Sequence, residues 1–440
     1  MSRKLRCLLA LLLTAATLCG CSMVTVEQMY SPPKRSAAYE DLQNAIDDAM
    51  EGMSYASPES GENRQTVQIA DLDGDGREEY LLFARDISQN PMKIMIFRQN
   101  EDGCVLSETI ECGGSAFDLV EYVQLDGVPG LELVVGCQVS ETVLRLVSVY
   151  TFSGGHSKHL MSVNYSKQVT ADLDSDGLSE LLVIAAGESD EDNAAASLYD
   201  LTDGQIFRSR QVSMSAGDDH IKRIMVGKLQ DRTPAVYVAS SVADSAIITD
   251  VFALKDGVFT NVSFSNDSGT SVQTLRNYYV YADDIDDDGV LELPDLIDMK
   301  PVENTWMTSN QKLIRWYAMD LTGAETDKMY TFHNFEGGWY LHLDKFLTPR
   351  ISVARQDGSF QFYLWDEDFE SHQILMTIHA LTEFDREVAA AERGYYVLHR
   401  ADGILYAVET ETIAMELGLI PELLADSFHI IQMDWKNGET

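Results

Sequence analysis

Basic residues are scarce in this chain: 32 lysines and arginines stand against 71 aspartates and glutamates in 440 residues, a formal net charge of −39. Gripping phosphates requires a basic footprint, so nucleic-acid binding is excluded. The acidity reads as a solubilising surface. Long apolar runs are missing too; the run at 8–18 is too short to span a bilayer. Cysteine is sparse, with only Cys104, Cys112 and Cys137 beyond Cys21, and no Cys/His metal spacing is present. The nine histidines are scattered, and His156-x-x-His159 lacks the glutamate and helical context of a zinc protease. There is no Gly-x-Ser-x-Gly elbow, P-loop or dinucleotide fingerprint. Acidic pairs are so many that none stands out as a glycosidase dyad. Enzyme chemistry therefore finds little support. Apolar content is ordinary at 45%, which excludes wholesale disorder, and the length suits two or three domains.

What the chain does have is a repeated acidic loop. Asp71-Leu-Asp73-Gly-Asp75-Gly76-Arg-Glu-Glu79 returns as Asp172-Leu-Asp174-Ser-Asp176-Gly177-Leu-Ser-Glu180 and as Asp284-Ile-Asp286-Asp-Asp288-Gly289-Val-Leu-Glu292. Carboxylates fill positions 1, 3, 5 and 9, and glycine fills position 6, where a tight turn calls for positive φ. Alternate carboxylates on such a loop can turn inward onto one hard cation, and Ca2+, with six to eight oxygen ligands, suits it best. An EF-hand needs a bidentate acid at position 12, where this chain has Leu82, Val183 and Asp295. The flanks, such as Val67-Gln-Ile69 and Tyr80-Leu-Leu-Phe83, are short apolar runs that predict strand–loop–strand. Solvated acidic turns without an ion are the alternative reading.

Two degenerate copies lie between the intact ones. Gln124-Leu-Asp126-Gly127-Val-Pro-Gly-Leu-Glu132 keeps acids at positions 3 and 9; Lys228-Leu-Gln-Asp231-Arg-Thr-Pro keeps only the strand pattern. Starts at 71, 124, 172, 228 and 284 give a period of about fifty, the length of a four-stranded propeller blade. The fold class expected is mainly β: a propeller-like repeat domain over 66–344 with five recognisable blades. A small α+β domain is expected over 345–440, where strands at 361–365 and 374–380 alternate with helices at 383–393, 412–417 and 422–428. Divergent sixth or seventh blades are the other reading of that segment.

The loops resemble FG-GAP and VCBS-type repeats, the calcium-loop propellers of integrin alpha subunits and many bacterial surface proteins. The resemblance covers about 66–340; the chain departs from the family in lacking Phe-Gly and Gly-Ala-Pro signatures. It implies about three Ca2+ sites. The ligands it implies are Asp71, Asp73, Asp75 and Glu79; Asp172, Asp174, Asp176 and Glu180; and Asp284, Asp286, Asp288 and Glu292.

The N-terminus is a targeting segment: Arg3, Lys4 and Arg6 precede the short apolar core, which ends Leu18-Cys19-Gly20-Cys21. That ending resembles the bacterial lipobox, which implies removal of 1–20 and lipidation of Cys21; ordinary signal-peptidase cleavage is the alternative. Residues 21–65 read as a tether and a short amphipathic helix carrying Tyr39, Leu42, Ile46 and Ala49. Cys104 and Cys112 share one expected strand, too far apart to pair, which leaves buried thiols or a bridge to Cys137. Aromatic residues gather at Trp306, Trp316, Tyr317, Tyr330, Phe332, Phe335, Trp339 and Tyr340. They serve either core packing or a partner surface, and packing is the expectation.

The functional expectation is an exported, lipid-anchored bacterial surface protein without catalytic residues. Its propeller would bind a protein or glycan partner and no nucleic acid. An extracellular polysaccharide-acting enzyme and a structural component of an envelope complex are the alternatives. Fold alone does not choose among them.

Overall fold

The computed structural model describes residues 37–88, 91–101, 103–139, 144–187, 193–243, 246–278, 280–302, 312–344 and 347–431. The leader, Cys21, the tether up to 36, the acidic turn at 188–192 and Trp306 lie outside the described residues. The fold is mainly β and propeller-like, as expected: among the described residues the strands form six antiparallel sheets of four or five strands. Among the described residues no helix is long and apolar enough to cross a membrane.

The chain divides into two compact units. The first comprises residues up to 57 with 65–70 and 78–112. Its sheet runs Glu79–Arg85, Met92–Asn100 and Gly103–Cys112 as a meander, with Val67–Ala70 and Ser54–Tyr55 both pairing with Glu79–Arg85. The expected helix is there, at Ala37–Ala49. Its apolar stripe, Leu42, Ala45, Ile46 and Ala49, packs on Leu82, Ala84, Met95 and Phe97 of the sheet. Tyr39, at the start of the same stripe, is exposed.

The second unit holds 58–64, 71–77 and everything from 113. Its sheets follow one another along the chain, and in each the first strands form a meander of successive pairs. The period-2 alternation of strand side chains explains how they stack. From the strand Glu180–Ala185, Leu181 and Val183 pack on Val134, Val147 and Val149 of the preceding sheet. Leu182 and Ile184 point the other way, onto Val236, Val238 and Phe252 of the following sheet. From Pro234–Ala243, Val236 and Val238 face backward, while Ala235 and Tyr237 join Leu293, Tyr317 and Met319 of the next sheet. These two sheets therefore each have two apolar faces, as their near-continuous apolar strands require. Turn chemistry sets the hairpins: Asp256 and Gly257, both at positive φ, link Ala246–Lys255 to Val258–Asn261.

The segment from 345 builds a sixth sheet from Ile351–Gln356, Ser359–Trp365, His372–Leu381, Ile404–Thr410 and Tyr396–Ala401. Three short helices accompany it, Arg386–Arg393, Thr412–Glu416 and Pro421–Asp426. Gly394, at φ 73°, ends the first of these as expected. One apolar cluster joins this sheet to the fifth, with Phe332, Trp339 and Leu341 against Val353, Phe362 and Met376. Half of the aromatic concentration is thus core: Trp316, Tyr317, Phe332 and Trp339 are fully buried.

Two elements differ from expectation. Phe428, expected to end a helix, starts the strand Phe428–Ile430, which pairs with Trp339–Leu343 on the edge of the fifth sheet. Of the strand expected before the third loop, at 279–281, residue 279 lies outside the described residues and 280–281 form none; one bridge between Asp283 and Glu292 follows. The cause lies beside it: the buried Arg276 guanidinium donates to Val280 O at 2.5 Å, and Val280 N–H donates to Tyr278 O. Both ladder groups of Val280 are already engaged. Cys104, Cys112 and Cys137 are buried thiols outside any disulfide.

Candidate metal centre

The loop 172–180 connects Lys167–Ala171 to Glu180–Ala185, two strands of the third sheet. Ser175 and Gly177 turn it at φ 66° and 91°. Asp172 fastens the turn, Oδ1 accepting from Ser175 N–H at 2.7 Å and Oδ2 from Gly177 N–H at 3.1 Å. Asp174 accepts from Asp176 N–H at 3.0 Å, and Asp176 from Leu178 N–H at 2.8 Å. Glu180 is buried and reaches back to accept from Leu173 N–H at 2.7 Å. One oxygen from each of Asp172, Asp174, Asp176 and Glu180 then lies within 4.8 Å of the others. Ca2+–oxygen bonds of about 2.4 Å allow ligand atoms up to roughly that separation around one ion. All four predicted residues are brought together.

Their electrostatics call for a counter-charge. Burial pushes the Glu180 carboxyl up to about 7; the carboxylates of Asp174, Asp172 and Asp200 push the same way, against the Leu173 N–H. Burial also raises Asp174. Asp200 comes from Ala195–Thr202 and was absent from the expected ligands.

The loop 284–292 repeats the scaffold. Asp284 accepts from Asp288 N–H and Gly289 N–H, each at 2.8 Å, and Glu292 accepts from Ile285 N–H at 3.1 Å. Asp284, Asp286 and Glu292 each bring an oxygen within 4.8 Å of the others. Asp288 stands apart from that group. Its Oδ2 accepts from Lys328 Nζ at 2.7 Å, which holds its carboxyl below the ordinary range. Lys328 was likewise missed by the sequence reading. Burial pushes Glu292 up to about 7, with Asp286 adding to the effect and Lys328 opposing it.

Residues 71–77 of the first loop belong to the second unit and Glu79 to the first. Within 71–77 the same turn forms: Asp71 accepts from Gly74 N–H at 2.8 Å and Gly76 N–H at 3.1 Å, and Asp75 from Arg77 N–H at 2.7 Å. Asp73 lies half-buried in that turn. Glu79 is buried at the start of its strand, with Arg98 Nε 3.6 Å away.

The degenerate copy at 124–132 ties its loop without acids at positions 1 and 5. Gln124 Oε1 accepts from Gly127 N–H at 2.9 Å, as an aspartate would. Its Nε2 donates to Val128 O at 2.7 Å and Gly130 O at 2.9 Å, tying the loop with an amide. Glu132 still accepts from Leu125 N–H, at 2.9 Å. In the copy at 228–234, Leu229 N–H donates to Thr233 O and Arg232 takes positive φ, with no acidic cluster among the described residues.

No family model and no curated protein matches the chain. Among solved structures it is similar to the exotype rhamnogalacturonan lyase YesX, at 13% identity and TM-score 0.28, covering 73% of this chain and 63% of that one. The rhamnogalacturonan lyase YesW gives 10% identity and TM-score 0.28 over 73% and 72%. A protein from Lactobacillus plantarum gives 10% and 0.26 over 72% and 85%. The chain thus spans under two thirds of YesX. The chemistry of the site rests on its own residues: oxygen donors alone, several of them carboxylates, form groups that could hold a metal ion and are compatible with calcium.

Proposed function

We propose that this is a calcium-stabilised, propeller-like binding protein, exported and held to the bacterial membrane by lipid on Cys21. The convergence of Asp172, Asp174, Asp176 and Glu180 within 4.8 Å carries the calcium part of this reading. Calcium here holds hairpins in shape: the loop 172–180 joins two strands, and the repulsion among its acids is relieved when an ion binds. The acidic loops at 71–79 and 284–292 are the further sites in this reading.

Binding without turnover is the function this scaffold supports. The partner is a protein or a glycan. A cleft between the fifth and sixth sheets is suited to it, with adjoining cavities of about 150 and 190 Å3 sharing Asn334, Glu336, Arg355 and Phe360. Ring faces and polar side chains together serve sugar or peptide recognition.

Melting residues 22–440 in millimolar calcium and in chelator tests the first part. A calcium-dependent rise that shrinks in Asp174→Ala supports it, and equal melting in both conditions ends it. A glycan array probed with the calcium-loaded protein tests the second. Release of shortened products would replace binding with catalysis.

A further inference from the structure

The three intact loops look equivalent in sequence, yet each faces a different residue across the sheet. The glutamate at position 9 opens a strand, and the register fixes what lies opposite it. Tyr80 pairs with Phe97, Leu133 with Tyr150, Leu181 with Tyr199 and Leu293 with Tyr317. One step back, Glu79 faces Arg98, Glu132 faces Thr151, Glu180 faces Asp200 and Glu292 faces Ala318. Thr151 Oγ1 donates to Glu132 Oε1 at 2.9 Å, and Arg98 sits 3.6 Å from Glu79. Of these four glutamates, Glu180 is the one that faces an acid among the described residues. Among the described residues, no lysine or arginine pairs with Asp172, Asp174, Asp176, Glu180 or Asp200.

The 284–292 loop has the opposite surroundings. Ala318 offers nothing, but the next strand out, Glu325–Asn334, carries a register shift: Trp316 pairs with Met329 and Tyr317 with Asp327. Lys328 is the extra residue, and a bulge re-aims its side chain. Its ammonium stands 2.7 Å from Asp288 Oδ2 and 4.0 Å from Glu292 Oε1. That Glu292 oxygen is buried and accepts no hydrogen bond. Arg232, from the degenerate fourth copy, adds a second positive charge, 3.8 Å from Asp288 Oδ2, and donates to Asp288 O. Two cations thus hold the position-5 carboxylate away from the cluster that its counterpart Asp176 joins in the 172–180 loop.

We infer that Lys328 is a built-in substitute for the cation in the 284–292 loop, which therefore folds without calcium, whereas 172–180, with Asp200 as a fifth acid, is the calcium-dependent loop of the second unit. This rests on the calcium reading above and narrows it. A fixed ammonium beside a carboxylate cluster both satisfies the acids and repels a divalent ion, so the two loops differ in affinity although their ligands match.

Equilibrium dialysis with calcium, on the full mature chain in a D73N background that silences the first loop, tests the assignment. The expected result is one tight equivalent, lost in D174N and kept in D286N. Lys328→Gln should then raise the affinity of the 284–292 loop about tenfold or more, adding an equivalent that D286N removes. The inference is overturned if D286N costs as much calcium as D174N, or if Lys328→Gln adds none. The D174N and D286N comparison stands even if the lysine variant folds poorly. No calcium uptake by any variant, including the otherwise unaltered chain, would overturn the calcium reading itself.

Discussion

Glu180 holds a loop together and strains it at once. Its Oε2 caps Leu173 N–H, while its charge joins three neighbouring aspartates in a buried place. Glu180→Gln keeps an acceptor for Leu173 and deletes the charge. The calcium-free protein should then melt higher than the parent, and the calcium-induced rise should shrink; differential scanning calorimetry with and without chelator reads both. A ligand at about 100 times its Kd adds roughly 2.7 kcal/mol, which sets the scale of the loss. Gly74 allows a sharper test of backbone fit. It sits at φ 69°, and an added Cβ would fall 2.3 Å from the Pro129 carbonyl carbon. Gly74→Ala should cost about 2 kcal/mol or more in urea unfolding, through strain and overpacking. Alternating acids and the glycine at position 6 made the loops legible in the sequence, because nine consecutive residues supply their own turn. Asp200 and Lys328 were not legible, because their approach depends on strand register and on a bulge twenty or more residues away.

At the level of elements, the fifth sheet ends in a ladder of rings. His333 stacks on Tyr340 at 4.9 Å, Tyr340 on His429 at 5.0 Å, and His342 lies 4.4 Å from His429. Burial pushes His333 down to about 3, and burial with His429 pushes His342 down to about 4. Both bases are depressed when folded, so their contribution is intact above the unfolded value of about 6.5 and is lost as pH falls toward 4 and below. His333 is 7% exposed; while it titrates only in the unfolded chain, it steepens the pH dependence by up to about 1.4 kcal/mol per pH unit. Chemical denaturation between pH 7 and 4 should show this slope, and His333→Phe should flatten it. Sequence pattern places strands at 312–321 and 329–335; Lys312–Met319 matches the first, while the second, Glu325–Asn334, begins four residues earlier, among polar residues that carry no apolar signal. It could not foretell that Phe428–Ile430 would join them, since three residues after a helix carry no periodicity.

For the molecule as a whole, the repeat was legible because its period survives even where the ligands are lost, as at 124 and 228. The sixth sheet, with helices interposed among its strands, hid that pattern. Its fastening to the fifth sheet has a consequence for assembly. Trp339–Leu343 pairs on one side with Glu325–Asn334, but its outer edge stays open until residues 428–430 arrive, some ninety positions later. Ending the chain at 420 should leave that edge bare, and size-exclusion chromatography should show self-association where the longer chain elutes as a single species. A growing polypeptide thus carries an open seam through the making of its last ninety residues. The rate at which the seam closes is set by loop closure over that span rather than by any local turn, so a long-range step in reaching the native state belongs to three residues at the far end of the fold.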